Sequence, residues 1–100
     1  MKVVFSPAAE ADLIDIALYI AADNPTRAFS FVAELEATSQ RLGDAFSIGR
    51  ARPELGEGVR VLSHGNYLIF YRQADDALRI ERILHGARDI TADDFGLADD

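Results

Sequence analysis

Four side chains in the second half of the chain have the types needed for phosphate chemistry: Arg60, Arg82, His85 and Arg88. Cleavage of RNA without a metal needs a base for the 2′-hydroxyl, cations for the charged phosphorane and an acid for the leaving oxygen. Arginine can stabilise the phosphorane, and histidine can serve as the acid or the base. One hypothesis is therefore an endoribonuclease site that contains Arg60, Arg82 and His85.

The spacing of two of these residues also supports a second interpretation. Successive residues of a strand point to opposite faces of a sheet, so Arg82 and His85 face different sides if a strand runs through residue 85. This argues against a tight catalytic pair. Arginines on an open sheet face also suit a partner protein that presents carboxylates. Both phosphate chemistry and protein docking remain possible at this point.

Other kinds of chemistry have little support from the residue types. The only histidines, His64 and His85, do not have the helical spacing of metal ligands, and the chain has no cysteine. We therefore expect neither a metal site nor a cofactor. A phosphate-binding loop would need a lysine after its glycines, but the sole lysine is Lys2. Ser63, His85 and an acid could form a catalytic triad, although no nucleophile elbow is present.

The arginines are concentrated in one stretch of an acidic chain. Residues 44–88 hold seven of the ten lysines and arginines together with six acids, whereas the other positions carry three cations and eleven acids. The whole chain has a net charge of −7. Non-specific nucleic-acid binders are usually basic, so the acidic charge weakens the hypothesis of nucleic-acid binding without removing it, because a local basic site remains possible. We expect no direct sequence-specific nucleic-acid binding.

The positions of serine, asparagine and proline predict two helices ahead of the arginine-rich stretch. Ser6-Pro7 and Asn24-Pro25 combine a capping side chain with a proline suited to the first helical turn. Apolar residues recur at helical spacing after each signal, and the short connection predicts an antiparallel hairpin. The acids off the apolar stripe of the first helix are interpreted as a solvated face: Asp12, Asp15 and Asp23.

Four short runs rich in β-branched and aromatic residues predict strands, at Met1–Phe5, Val59–Ser63, Tyr67–Gln73 and Leu78–Leu84. The order β-α-α-β-β-β indicates one α+β domain over residues 1–100, with the helical hairpin packed on one face of an antiparallel sheet. The opposite face of the sheet is expected to be open and to act as a docking surface.

The hydropathy pattern gives no sign of a membrane protein. No run approaches the ~18 to 20 apolar residues that span a bilayer. The first residues also lack the basic and hydrophobic regions of a secretory signal. We therefore expect a cytoplasmic protein that does not contact a membrane.

Several segments together resemble a known family. They are FSPAAEADLIDIALYIAADNPTRA, GRARPELGEGVR, NYLIFYR and IERILHGARD, which cover most of the chain in order. With them the chain resembles the ParE branch of the RelE/ParE superfamily of bacterial type II toxins. The resemblance implies a toxin that is neutralised by a cognate antitoxin, whose flexible segment lies over the groove between helical hairpin and sheet. It also implies assembly with the antitoxin, commonly as a dimer of heterodimers.

The resemblance implies two alternative targets. ParE proteins inhibit DNA gyrase, whereas RelE proteins cut messenger RNA on the ribosome with several lysines and arginines and often a tyrosine near the C-terminus. This chain has no tyrosine after His85 and a single lysine. These departures favour a non-enzymatic gyrase inhibitor over a ribosome-dependent endoribonuclease.

Two sets of residues are the expected contacts of such a toxin. The target-binding set is Arg50, Arg52, Arg60, Arg82, His85 and Arg88. The antitoxin-binding set consists of apolar residues of the second predicted sheet strand, either Tyr67, Ile69 and Tyr71 or Leu68 and Phe70, according to which of them face away from the helices.

Overall fold

Two helices cover one face of a five-stranded sheet in the computed structural model, which describes residues 1–96. The elements are β1 (Lys2–Phe5), α1 (Pro7–Ala21), α2 (Pro25–Arg41), β2 (Arg50–Ala51), β3 (Arg60–His64), β4 (Tyr67–Ala74) and β5 (Ala77–His85). Three short 3₁₀ turns lie at Phe46–Ile48, Pro53–Leu55 and Ala92–Phe95. The predicted α+β fold class and element order are confirmed, and β2 is an additional strand within the predicted loop.

Both helices begin at the predicted capping residues. The hydroxyl of Ser6 accepts a hydrogen bond from the amide of Ala9 at 2.9 Å, and the side-chain oxygen of Asn24 accepts one from the amide of Arg27 at 3.0 Å. Each cap satisfies an amide of the first turn that has no partner within the helix.

The sheet has the strand order β1-β5-β4-β3-β2. Strands β2 to β5 pair antiparallel with their neighbours, as predicted, whereas β1 pairs parallel with β5. The sheet is therefore mixed rather than antiparallel throughout. The helical hairpin is the physical reason, because it carries the chain from the end of β1 back to the end of the sheet where β1 began. The antiparallel strands that follow then leave β5 running in the direction of β1.

The main core lies between the hairpin and the sheet. The side chains of Leu35, Ile69, Tyr71, Leu78 and Ile80 are each 0% exposed there. Their burial removes large apolar areas from water and holds the helices on this face, which we call the helix-facing side of the sheet.

A β-bulge in β5 changes which residues face the helices. Phe70 is opposite Arg82 and Tyr71 is opposite Ile80, so Glu81 is an extra residue without a partner on β4. The carboxylate of Glu81 accepts hydrogen bonds from Arg72 and Arg79. Strict alternation along β5 would place Glu81 on the same face as Ile83 and His85, and the bulge breaks that alternation at Glu81.

The second side of the sheet is covered by the chain itself. Leu55, Val59, Val61, Phe70 and Leu84 form a second buried cluster, each with at most 6% of its surface exposed. The 3₁₀ turns Pro53–Leu55 and Ala92–Phe95 lie over this side. The prediction of an open docking face is wrong, because two segments without a regular apolar period supply the apolar side chains that seal it.

Candidate functional site

The three residues of the endoribonuclease hypothesis do not come together. Arg60 pairs with Tyr71 in the sheet, whereas His85 pairs with Tyr67, four residues along β4. This separation corresponds to about 13 Å along the strand at ~3.3 Å per residue. Arg82 lies on the second side and His85 on the helix-facing side, as their spacing predicted. A phosphate could not contact all three side chains at once.

Arg82 is held in an ion-pair network within the protein. Its guanidinium donates to both carboxylate oxygens of Asp12 at 2.8 and 2.9 Å, and to the backbone oxygen of Asp94 at 2.9 Å. The hydrogen bond to Asp12 raises the pKa of Arg82 above its usual value. Arg82 therefore connects α1, β5 and the C-terminal 3₁₀ turn.

Asp12 is a structural residue that was interpreted as part of a solvated helix face. It is 8% exposed, and one of its oxygens also accepts the amide of Ile83 at 2.9 Å. Ile83 lies beyond the last residue of β5 that pairs with β1. The carboxylate thus replaces a missing strand partner, which explains why an acid is buried here.

Arg60 also contacts its own chain. Its guanidinium donates to the backbone oxygen of Gly49 and lies 5.4 Å from the ring centroid of Phe46. The hydroxyl of Tyr71 completes this corner, because it donates to the backbone oxygen of Phe46 at 2.7 Å and accepts from the amide of Gly49 at 2.9 Å. Arg60 therefore stabilises the position of the loop that precedes β2.

His85 is exposed at the end of β5 and packs against Tyr67, with 5.2 Å between the ring centroids. Its Nδ1 accepts the amide of Ala87 at 3.1 Å. Because an amide can only donate, the proton of the neutral ring lies on Nε2. Burial raises the pKa of Tyr67, and the nearby Tyr19 adds to this effect.

The remaining cations of the predicted target-binding set lie at two separate places. Arg50 and Arg52 are at β2 and just after it, where Arg52 pairs with Glu54. Arg88 lies beyond β5 and pairs with Asp94. Three strand spacings, about 14 Å, separate β2 from β5. The set is therefore two clusters and not one continuous cationic patch.

The predicted antitoxin-binding set is buried. Tyr67 is 7% exposed, and Ile69 and Tyr71 are fully buried against the helices. Of the alternative pair, Phe70 is fully buried on the second side and Leu68 is half-buried. The prediction that these strand residues form an open face is wrong, because both sides of the sheet are covered.

The open apolar surface is instead on the outer side of the helical hairpin. Ile14, Leu18 and Phe29 are 61%, 67% and 84% exposed. Two adjoining grooves run along this surface, with volumes of about 530 and 480 Å³. The first also reaches Val4 and Phe5 of β1. We call this surface the hairpin groove.

A signal for the hairpin groove was present in the sequence. The predicted core stripe of α1 leaves Ile14 and Leu18 four residues apart on another face. A helix that is apolar on more than one face is usually buried on more than one face. A second partner of α1 could therefore have been predicted.

Two further findings limit the chemistry of the described residues. Within residues 1–96, no group of three or more histidine, cysteine or acidic side chains is placed to hold a metal ion. In the same part of the chain, no helix combines the length and apolar character needed to cross a membrane.

Comparison with known proteins gives the chain a family. Residues 3–90 match the family model described as "ParE toxin of type II toxin-antitoxin system, parDE". A search of curated protein sequences gave no significant match.

Two solved structures share the fold. One, from a chromosomal ParDE toxin–antitoxin system of P. aeruginosa, has a TM-score of 0.74 and 24% identity, over 85% of this chain and 95% of the other. The other, from the toxin–antitoxin complex RelBE2 of Mycobacterium tuberculosis, has a TM-score of 0.59 and 24% identity, over 84% and 95%. At this identity the likeness concerns the fold.

Proposed function

The chain belongs to the ParE toxin family of type II toxin–antitoxin systems, and on that premise we propose that a cognate antitoxin neutralises it and that the free toxin inhibits DNA gyrase. DNA gyrase acts in the cytoplasm, so the proposal places the toxin there as well. The observation that carries the antitoxin part is the exposed hairpin groove. Large apolar patches that remain open on a small protein mark interaction sites.

The hairpin groove suits a segment of the antitoxin. Its floor is apolar, from Leu13 and Ile14 of α1 to Val32 of α2, and its rim carries the carboxylates of Glu10 and Glu36. An amphipathic segment with bulky apolar anchors and flanking lysines or arginines would match both features. The structural relatives come from toxin–antitoxin systems, which supports such a partner.

The first strand offers the same partner a second mode of contact. β1 is an edge strand of the sheet, and Val4 and Phe5 line the hairpin groove. An edge strand presents backbone groups that an added strand can pair with. A segment in the hairpin groove could therefore also extend the sheet. The proposed assembly is a hetero-oligomer, and we expect a dimer of heterodimers.

The separation of Arg60, Arg82 and His85 supports gyrase inhibition over RNA cleavage. Arg60 and Arg82 each bind groups of their own chain, so neither is free to stabilise a phosphorane. Of the expected target contacts, Arg50, Arg88 and His85 are exposed. These are the side chains that we propose contact the target.

A direct test uses purified toxin separated from its antitoxin. We expect it to block supercoiling by gyrase and to accumulate cleaved DNA at a several-fold molar excess, while added RNA and translated messages stay intact. A toxin with Arg50→Ala and Arg88→Ala should be weaker, whereas Arg41→Ala, on the helical hairpin, should act like the unchanged toxin. Messages cut within codons, with normal supercoiling, would favour the endoribonuclease alternative.

A further inference from the structure

Two grooves meet where α1 passes the start of β4 and the end of β5. Their volumes are about 320 and 430 Å³. Tyr19, Tyr67 and His85 line both grooves, so the two spaces adjoin at these three side chains. We call this place the tyrosine–histidine junction. It shares no lining residue with the hairpin groove and is therefore a separate surface.

The ring of Tyr67 is buried, but its hydroxyl is not enclosed. The residue is 7% exposed, and its ring packs edge-on against Phe31 and His85 at centroid distances of 5.5 and 5.2 Å. Its hydroxyl has no hydrogen-bond partner within residues 1–96, whereas that of Tyr71 has two. Every fully enclosed side-chain oxygen or nitrogen in this part of the chain has a partner, so the Tyr67 oxygen must open into the grooves. A fixed ring thus presents an unpaired polar group to the tyrosine–histidine junction.

The other two side chains of the junction add further hydrogen-bond donors. The Nδ1 of His85 accepts the amide of Ala87, which leaves the Nε2–H as a donor with no partner among the described residues. Tyr19 is 75% exposed, and its hydroxyl is also unpaired in that part of the chain. Burial and then Tyr19 raise the pKa of Tyr67, so its hydroxyl keeps the proton at neutral pH and can donate it. Three neutral donors therefore belong to side chains that line one space.

A carboxylate is the acceptor that fits this set of donors. It has two oxygens that accept about four hydrogen bonds, and its charge strengthens each of them. The arginines in the lining, Arg88 and Arg27, are already paired with Asp94 and Glu34. The donors that remain for a ligand are thus the neutral ones, which suit one negative charge better than several.

A nucleic acid fits the tyrosine–histidine junction less well. Asp15 also lines the first groove, is exposed and forms no ion pair within residues 1–96. The chain as a whole carries a net charge of −7. Successive phosphates of an RNA strand would be repelled by these charges. A protein segment can instead present a single carboxylate between neutral or basic neighbours.

We propose that the tyrosine–histidine junction binds an aspartate or glutamate side chain of a partner protein, with Tyr19, Tyr67 and His85 as the hydrogen-bond donors. The identity of the partner rests on the proposed function, in which His85 contacts the target, so the carboxylate is assigned to the target protein. The chemistry of the site does not depend on that assignment.

The test is an NMR titration of the full-length protein with the peptide acetyl-Gly-Glu-Gly-amide. We expect saturable shifts of the ring signals of Tyr67 and His85 at millimolar peptide. The matching peptide with glutamine in place of glutamate should bind at least tenfold more weakly, because it keeps the size of the side chain but loses the charge. Hexauridylate, which carries several phosphates, should bind no better than the glutamine peptide.

Variants of the two tyrosines locate the binding. Tyr67→Phe removes only an oxygen that has no partner within residues 1–96, so it should fold and bind the glutamate peptide at least fivefold more weakly. Tyr19→Phe should also weaken binding, and it leaves the core intact because Tyr19 is exposed. His64→Gln is the control, because His64 pairs with Glu34 and lines neither groove.

The absence of saturable shifts, equal affinity of the two peptides, unchanged affinity of both tyrosine variants or tighter binding of hexauridylate would each overturn the proposal. Gyrase assays then separate the site from its partner. A protein that binds the glutamate peptide but leaves supercoiling unchanged would refute the proposed function and not the site. If the unchanged protein and Tyr67→Phe inhibit gyrase equally, the carboxylate does not belong to the target.

Discussion

The hairpin groove and the second side of the sheet are both apolar surfaces, but only the first is open. Phe29 in the helical hairpin is 84% exposed, whereas Phe70 on the second side is fully buried under short segments of the same chain. Burial of an apolar ring stabilises a protein wherever a cover is available. The chain therefore covers with its own segments the apolar surface on the second side of the sheet, whereas the hairpin groove, the proposed antitoxin site, stays open.

The two surfaces also differ in charge. The rim of the hairpin groove carries Glu10 and Glu36, whereas arginines surround the second side of the sheet. A partner segment at the hairpin groove should therefore carry basic flanks. The arginines of the second side are taken up by ion pairs within the chain.

The largest difference between the two surfaces should appear in folding stability. Phe70→Ala should lower the free energy of unfolding by about 3–5 kcal/mol, because it removes a buried ring and leaves a cavity. Phe29→Ala should change it by no more than about 0.5 kcal/mol, as is usual for an exposed site. Urea denaturation followed by circular dichroism measures both. Similar losses for the two variants would show that the second side is not a true core.

A somewhat smaller effect is expected where α1 joins the sheet. Asp12→Asn keeps the size of the side chain but removes the charge that holds Arg82, so we expect a loss of roughly 1.5–3 kcal/mol of stability. Asp15→Asn is the matched control, because Asp15 is exposed one turn further along the same helix. If both variants unfold at the same urea concentration, the buried ion pair contributes nothing to stability.

The hairpin groove should be sensitive to substitution in binding and not in folding. Leu18→Ala and Phe29→Ala should each weaken antitoxin binding by about 1–2 kcal/mol, since anchors at the centre of an interface contribute most of its affinity. Isothermal titration calorimetry measures the change. Ile48→Ala is the control, because Ile48 is an exposed apolar residue outside the helical hairpin. Unchanged affinity of the groove variants would place the antitoxin elsewhere.

The smallest effect is expected for the exposed ion pair between Arg27 and Glu34 in α2. Hydrogen bonds from Arg27 and then His64 lower the pKa of Glu34 from about 4.5 to about 2. A lowered pKa in the folded state adds stability above the unfolded value, and this contribution is lost as the pH falls from about 4.5 through about 2. Glu34→Gln should thus lower the urea midpoint slightly at pH 7 and by much less at pH 2.

The control for that titration is Glu36→Gln, which changes a neighbouring carboxylate that forms no ion pair within residues 1–96. Carbon-detected NMR of the Glu34 carboxyl gives its pKa directly. A value near 4.5 would show that the ion pair is not formed in solution.

The fold could be predicted from local signals in the sequence. Ser6 and Asn24 cap the helices through the hydrogen bonds that their positions implied, and the alternating runs became β3, β4 and β5. These predictions succeeded because capping and strand alternation depend on neighbouring residues. The parallel pairing of β1 depends instead on where the hairpin returns the chain.

The candidate site could be predicted only in part. The burial of Asp12 depends on Arg82, which is seventy residues away in the chain. The covering of the second side depends on two 3₁₀ turns whose apolar residues follow no regular spacing. Such long-range contacts leave no local pattern. The exposed residues Ile14 and Leu18 did leave one, but it was hidden by the stronger core stripe of the same helix.

The Asp12 carboxylate, which accepts the amide of Ile83, also limits how far a strand of another protein can lengthen the sheet. The Ile83 amide already has a hydrogen-bond acceptor, and β1 ends at Phe5, after which α1 begins. An incoming strand at this edge therefore meets a template of only four residues, Lys2–Phe5. Pairing with so short a strand supplies few backbone hydrogen bonds. A partner that binds tightly must therefore obtain most of its affinity from contacts with the helices beside β1.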